Sequence, residues 1–372
     1  MTDSAEFEIQ LVCPPGMQET LRGEARELGL PKSRSTPVGV TMMGGWEDVW
    51  RANLELRGAS RVLIRIAEFR VPHLAQLDKR ARKMDWGAWL KPGEPVKVEA
   101  VCKRSKIYHE RAAVERIENA LREEFGAPID PKAVVRVMAR IDDDLCTLSL
   151  DTSGAPLHQR GHKEAVGKAP LRESLAAMFL RQAGYTGAEP VVDPMCGSGT
   201  IPIEAAEIAL GLLPGRSRRF AFENMASFDR PAWESLRNRP AQPKPDLRFY
   251  GYDRDDGAVL RSRENAQRAE VTAVTQFSRQ AISALEPPKG PKGLVLVNPP
   301  YGARIGDKKE LFALYGALGK TLLNGFAGWR VGIITSEPGL AKTTGLPLLA
   351  PGPITPHGGL KIRLYRTDPL PG

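Results

Sequence analysis

Four consecutive residues, Asn298-Pro299-Pro300-Tyr301, bring a carboxamide, two conformationally fixed prolines and an aromatic ring together directly behind the apolar run Gly293-Leu294-Val295-Leu296-Val297. Delivered at the end of a buried strand, this set is suited to holding a planar amino group while a methyl is added. An exocyclic amine on a purine is a poor nucleophile, because its lone pair is delocalised into the ring. If the Asn298 side-chain oxygen and the Pro299 carbonyl each accept one N–H, the lone pair is directed at the incoming methyl, and the transition state gains more than the planar ground state. Pro299 has a fixed φ and no N–H, so it presents its carbonyl rigidly. Tyr301 would stack on the base, worth about 1 to 3 kcal/mol by analogy with single-strand binders, and a base within a duplex has to be flipped out to reach it. The product ammonium is acidic enough to lose its proton to water, so no general base is required. The bland alternative is a proline turn capped by Asn298.

A second constellation, Asp193-Pro194-Met195-Cys196-Gly197-Ser198-Gly199-Thr200, follows the apolar Val191-Val192. Gly197 and Gly199 let the backbone pass close to a ligand where a Cβ would collide. The spacing is not that of a dinucleotide loop, since Pro202 stands where the third Gly or Ala would fall, and the lysine of a phosphate-binding loop is missing. A neutral-to-acidic glycine loop with Asp193 at its mouth suits a cofactor that carries a cation, such as S-adenosylmethionine; a tight turn is the alternative. Asp253, ending Phe249-Tyr250-Gly251-Tyr252, can accept hydrogen bonds from ribose hydroxyls, or serve merely as a helix N-terminal acid. Asp255 and Asp256 compete for that second role. Cys196 reads as a small loop residue.

These residues need strands to carry them. From residue 191 onward, apolar runs without polar alternation (191–193, 249–253, 294–297, 331–336) are separated by helical patterns through Ile208, over 256–269 and over 310–323. That predicts an α/β domain with a doubly wound parallel sheet. Pro356-His357-Gly358-Gly359 reads as the turn into a terminal edge strand, 360–365. Ahead of it stand two α+β patterns. The first alternates at Phe7, Ile9 and Leu11, turns at Pro14-Pro15-Gly16, forms a helix over 18–28 and returns through Val38, Val40 and Met42. The second has strands over 60–66, 96–101, 134–138 and 145–150 and helices over 74–84 and 110–125. Residues 158–170, with His158, Arg160, His162, Lys163 and Lys168, read as a polar linker. No repeat or low-complexity tract interrupts this order.

At 372 residues the chain is long enough for two or three cores, and at 42% hydrophobic and 26% charged it has a globular composition. No run of 18 apolar residues could span a membrane, and the polar opening shows no secretory signal. Four cysteines, 13, 102, 146 and 196, form no C-x-x-C pair and have no His at ligand spacing, so a reduced cytoplasmic protein without structural metal is expected. The net charge is 53 − 44 = +9; residues 1–165 contribute 26 − 25 = +1 and residues 166–372 contribute 27 − 19 = +8. An anionic partner such as nucleic acid suits that balance. Lys103, Arg104, Lys106 and Arg111 could meet phosphate or form a solvated face, and Arg160 could touch RNA or only make the linker polar.

The combination of Asp193-Pro-Met-Cys-Gly-Ser-Gly-Thr200 with Asn298-Pro-Pro-Tyr-Gly302 resembles the THUMP-domain class I RNA guanine-N2 methyltransferases, in particular the bacterial enzymes acting on large-subunit ribosomal RNA. Leu150-Asp151-Thr152-Ser153-Gly154, residues 157–162 and Ala169-Pro170-Leu171-Arg172-Glu173-Ser174-Leu175-Ala176 extend the resemblance over most of the chain. It implies a ferredoxin-like segment over 1–58, a THUMP RNA-binding module over 59–157 and a Rossmann-like methyltransferase domain over 171–372. It also implies S-adenosylmethionine as cofactor, held by Asp193, Met195, Cys196, Gly197, Gly199, Thr200 and Asp253, and an RNA partner; a monomer is expected, though no residue pattern specifies the oligomeric state. Where such enzymes place an acid to meet the adenine amino group, this chain has Gln280, whose carbonyl can accept the same hydrogen bond. The same tetrapeptide also serves adenine N6 and glutamine side chains, and THUMP modules also guide enzymes to transfer RNA. A non-catalytic RNA-binding assembly factor is the alternative of another class.

Overall fold

Period-two alternation builds the first sheet. In β1 (Phe7–Val12) Ile9 and Leu11 are fully buried and their neighbours are not, which is the signature of a strand with one covered face. The computed structural model describes residues 6–163, 171–238, 246–302 and 308–372. The chain forms two compact units: residues 1–13, 22–157 and 218–239 make the first, and residues 14–21, 158–217 and 240–372 the second.

The first unit adds β2 (Ser33–Thr36), β3 (Gly39–Gly44), β4 (Arg61–Arg70), β5 (Val96–Lys103), β6 (Val135–Asp142) and β7 (Leu145–Asp151) in the order β2-β3-β1-β4-β7-β6-β5. β1 is antiparallel to both β3 and β4, in register Ile9↔Ile64 and Leu11↔Val62. The boundary expected between residues 58 and 59 therefore falls inside one continuous seven-stranded sheet. Side chains reinforce the join. Asn53 Nδ2 donates to Thr152 Oγ1 (2.9 Å), Ser153 Oγ to Asn53 Oδ1 (2.6 Å), and the Val62 N–H to Ser153 Oγ (2.8 Å), all buried. Asp151, wholly buried, accepts from Arg61 and from the Ser153 and Gly154 backbone N–H groups. Leu150–Gly154 is thus a buried turn that ties the sheet together.

Residues 218–239, expected in the catalytic domain, belong to this first unit. Arg218 donates to the carbonyls of Ser153 (3.2 Å) and Pro156 (2.9 Å), and the Phe222 N–H to Thr152 O (3.1 Å). Phe222 lies among Trp50 (6.2 Å between ring centroids), Phe220 (5.2 Å) and Trp233 (5.0 Å).

The second unit is built on β8 (Val191–Asp193), β9 (Phe249–Asp253), β10 (Thr275–Arg279), β11 (Leu294–Val297), β12 (Arg330–Thr335), β13 (Thr355–His357) and β14 (Leu360–Arg366), ordered β10-β9-β8-β11-β12-β14-β13. β8 to β12 run parallel to one another. Every residue of β8 and β11 is buried, as a central strand covered on both faces requires. Helices Thr200–Ala209, Asp256–Arg268 and Lys308–Gly325 connect the parallel strands. The strand expected at the sheet edge, β14, lies inside it: it is antiparallel to β12 on one side and to the short β13 on the other.

Candidate active site

Strand order reverses between β8 and β11. The chain leaves β8 toward β9 and β10, then returns to β11 and continues through β12. A crevice at the carboxyl ends of the two adjacent strands is the expected ligand site of such a sheet. The register Leu294↔Val191 and Val295↔Val192 brings the ends of both strands, and hence Asp193 and Asn298, to that same rim.

The loop after β8 is stitched to β9 and its helix. The Asp193 carboxylate accepts the Met195 N–H (3.0 Å), the Cys196 N–H reaches Tyr252 O (2.9 Å), and the Gly197 N–H donates to Asp253 Oδ2 (3.0 Å). Ser262 Oγ donates to Gly197 O (3.0 Å) and Asn265 Nδ2 to Ser198 O (2.9 Å). Gly199, at φ +80°, precedes buried Thr200 and the helix; a Cβ there would stand 3.0 Å from Ser262 Cβ and 3.1 Å from the Phe277 ring. The glycine is thus required by both conformation and space. Ser262 and Asn265 carry no motif. The available signal is their i, i+3 spacing on the face that also buries Ala258, Val259 and Ala266.

Burial pushes the Asp193 carboxyl up to about 8, its Met195 hydrogen bond opposes the rise and the nearby Asp253 adds to it. Two carboxylates therefore converge where a cation would be welcome. Burial likewise raises the Cys196 thiol well above its ordinary value, which leaves it a neutral packing group. Gln280 sits one residue past β10; its N–H donates to Asp253 O (2.9 Å) and its Nε2 to Ala284 O (2.5 Å), which orients its amide.

Beyond β11, Asn298 Oδ1 is buried without a hydrogen-bond partner among the described residues. A buried acceptor left open costs about 1 to 3 kcal/mol, so the site holds a group waiting for a donor. Pro300 is fixed from behind: Tyr315 OH, on helix Lys308–Gly325, donates to Pro300 O (3.3 Å), and Tyr315 is fully buried. Tyr301 packs against the core around Val192, Val295 and Tyr315, and burial raises its phenol to about 12. Ser336 Oγ, one residue past β12, is likewise buried without a partner among the described residues. Neither Tyr315 nor Ser336 stands out in the sequence.

The cationic residues fall differently. Lys103, Lys106 and Arg111 are exposed in the first unit, and Arg104 is exposed but paired with Asp142 (2.8 Å). Arg160 has to be corrected as a nucleic-acid contact. It is 1% exposed and pairs with Glu204 (3.2 Å) inside the second unit, where His162 is also buried. The described part of the supposed linker, 158–163, is therefore built into the second unit; Lys168, Ala169 and Pro170 lie outside the described residues. Among the described residues no three His, Cys, Asp or Glu side chains are grouped to hold a metal ion, and no helix is long and apolar enough to cross a membrane.

Glycine loop, an acid at the end of β9 and Asn-Pro-Pro-Tyr on a doubly wound sheet define a class I methyltransferase domain. Residues 160–346 match the family described as RMKL-like, methyltransferase domain, and the chain belongs to that family. Residues 8–63 match the RlmL ferredoxin-like domain. The chain is 37% identical over 364 residues to a "Ribosomal RNA large subunit methyltransferase K/L" of Syntrophotalea carbinolica, an overlap that covers 92% of this chain and 51% of that protein. It thus spans about half the length of the curated relatives it matches. Among solved structures it resembles a protein of Clostridium difficile 630 described as a possible methylase (TM-score 0.89, 29% identity, 99% of each chain covered). It also resembles SMU.472 complexed with SAH (TM-score 0.88, 26% identity, 99% of each chain covered).

Proposed function

We propose that this chain transfers a methyl group from S-adenosylmethionine to the exocyclic N2 of a guanine in RNA, with 23S ribosomal RNA the favoured substrate and transfer RNA the next. The observation that carries this reading is the buried Asn298 Oδ1, without a hydrogen-bond partner among the described residues, at the reversal point of the sheet and beside rigid Pro299. Its support also includes the resemblance to ribosomal RNA methyltransferases and the SAH bound to SMU.472.

The residues fit the cofactor. Asp193 would face its cationic end, the backbone of Met195, Cys196, Gly197 and Gly199 would line its path with Thr200 starting the helix beneath, Asp253 would accept from the ribose hydroxyls and Gln280 Oε1 would accept an N–H of the adenine amine. When bound, S-adenosylmethionine supplies a methyl on a sulfonium. Asn298 Oδ1 and Pro299 O hold the two amine protons, Tyr301 stacks on the base, and the tertiary amide of Pro300 keeps the turn from flexing. The surplus proton passes to water. The segment 59–157 acts as a THUMP RNA-binding module, with Lys103, Arg104, Lys106 and Arg111 as its phosphate contacts.

Incubating the chain with labelled cofactor and undermethylated 23S RNA, then separating nucleosides, tests this directly. N2-methylguanosine is expected and N6-methyladenosine is not. Asn298→Ala is expected to lower turnover at least about 100-fold, the range of one lost oxyanion-type contact, while calorimetry finds cofactor binding unchanged. Wild-type turnover in that variant would overturn the assignment.

A further inference from the structure

The hairpin that closes the second sheet ends beside the tetrapeptide. β14 runs antiparallel to β12 in register Thr335↔Arg363, so Leu360 extends three residues past the end of β12 toward the carboxyl rim, about 10 Å at strand rise. His357 pairs with Leu360 across the two-residue turn Gly358-Gly359, whose φ values of +57° and +83° make it tight. Leu360 Cδ1 stands 3.1 Å from where a Cβ on Gly302 would be, immediately beyond Tyr301. Leu360 is nonetheless 38% exposed, and Lys361 beside it is exposed. A large, partly exposed apolar side chain held beside the tetrapeptide, with a cation next to it, matches what a strand with a displaced base presents: an unstacked gap and flanking phosphates.

We propose that the β13–β14 hairpin tip is a substrate-positioning element, in which Leu360 occupies the space left by the displaced guanine or closes over it, and Lys361 takes a phosphate of the same RNA strand. The role rests on the RNA methyltransferase reading above. Arg172 is exposed on the same unit, and Lys163 is taken up by Glu173 (3.3 Å); after burial, these two cations hold His357 below its ordinary pKa.

The experiment measures kcat and KM for undermethylated 23S RNA transcribed in vitro, and calorimetric Kd for S-adenosylmethionine, in Leu360→Ala, Leu360→Met and Lys361→Glu. Lys361→Glu is expected to raise KM for RNA several-fold and to flatten its salt dependence by about one charge. Leu360→Ala is expected to lower kcat about tenfold, as loss of an apolar wedge of ~1.4 kcal/mol would, with Leu360→Met restoring most of it. Cofactor Kd stays unchanged in all three. Wild-type kcat and KM in both Leu360→Ala and Lys361→Glu overturn the proposal, and so does a parallel loss of cofactor affinity, which marks a structural role. If the wild-type chain transfers no methyl, the enzymatic reading fails instead, and RNA binding decides the hairpin: equal affinity and salt slope for wild type and Lys361→Glu reject it.

Discussion

Asp193 is the residue whose chemistry depends most on its surroundings. Buried at the end of β8, its carboxyl is neutral until pH approaches about 8. An acid raised in this way binds a proton in the folded state that the unfolded chain has already lost. Its contribution therefore favours folding at low pH and is lost as pH rises from its ordinary value near 4 through about 8. Ligand binding has the opposite sign. A cationic cofactor needs the ionised carboxylate, so affinity should climb with pH below about 8, by at most tenfold per unit, and level off above it. Calorimetric titrations between pH 6.5 and 9 check this, and Asp193→Asn should bind more weakly and lose the dependence. Asp193 itself is legible from its place after an apolar strand. The shift is not, because it arises from burial in the folded unit and from Asp253, which folding brings near.

Strands and turns set what could be read beforehand. β8, β9, β11 and β12 are short apolar runs bounded by polar or glycine residues, and their period and burial agree. β2 escaped because Ser33–Thr36 is polar and exists by pairing with β3 at the sheet edge. Helix Trp46–Glu55 escaped because glycines precede it; the Gly45 N–H is satisfied by Asp48 Oδ2 (3.0 Å), a cap read only in three dimensions. Arg160 misled because its partner Glu204 lies 44 positions away on a helix. At this scale the cofactor loop makes a sharp prediction. Gly199→Ala must place a side chain at φ +80° against Ser262 and Phe277. The conformation alone costs about 1 to 2 kcal/mol, so thermal denaturation should show lower stability, and cofactor affinity should fall with it. Gly23→Ala, inside helix Gln18–Glu27 with open space around its Cβ, should instead gain up to about 1 kcal/mol.

For the molecule as a whole, the unit boundaries do not follow the sequence. Phe222, fully buried among Trp50, Phe220 and Trp233, lies between stretches of the second unit yet completes the core of the first. Truncating it to alanine should destabilise the first unit by about 3 to 5 kcal/mol. Because ligand stabilises only the fold that binds it, excess cofactor should raise the melting of the second unit and leave the first depressed. Differential scanning calorimetry with and without cofactor separates the two, and an unchanged melt in Phe222→Ala would contradict the assignment of 218–239. The charge is equally uneven: residues 166–372 carry +8 of the +9, so the attraction for polyanions lies mostly in the half of the sequence that holds the candidate site.

The interleaving of the units also bears on synthesis. The first sheet has all seven strands once residue 151 is made, but the aromatic residues that cover Trp50 arrive only with residues 220–233. A ribosome making this chain has to translate the helix behind the glycine loop before the earlier unit can close, so the two units mature in alternation rather than one after the other.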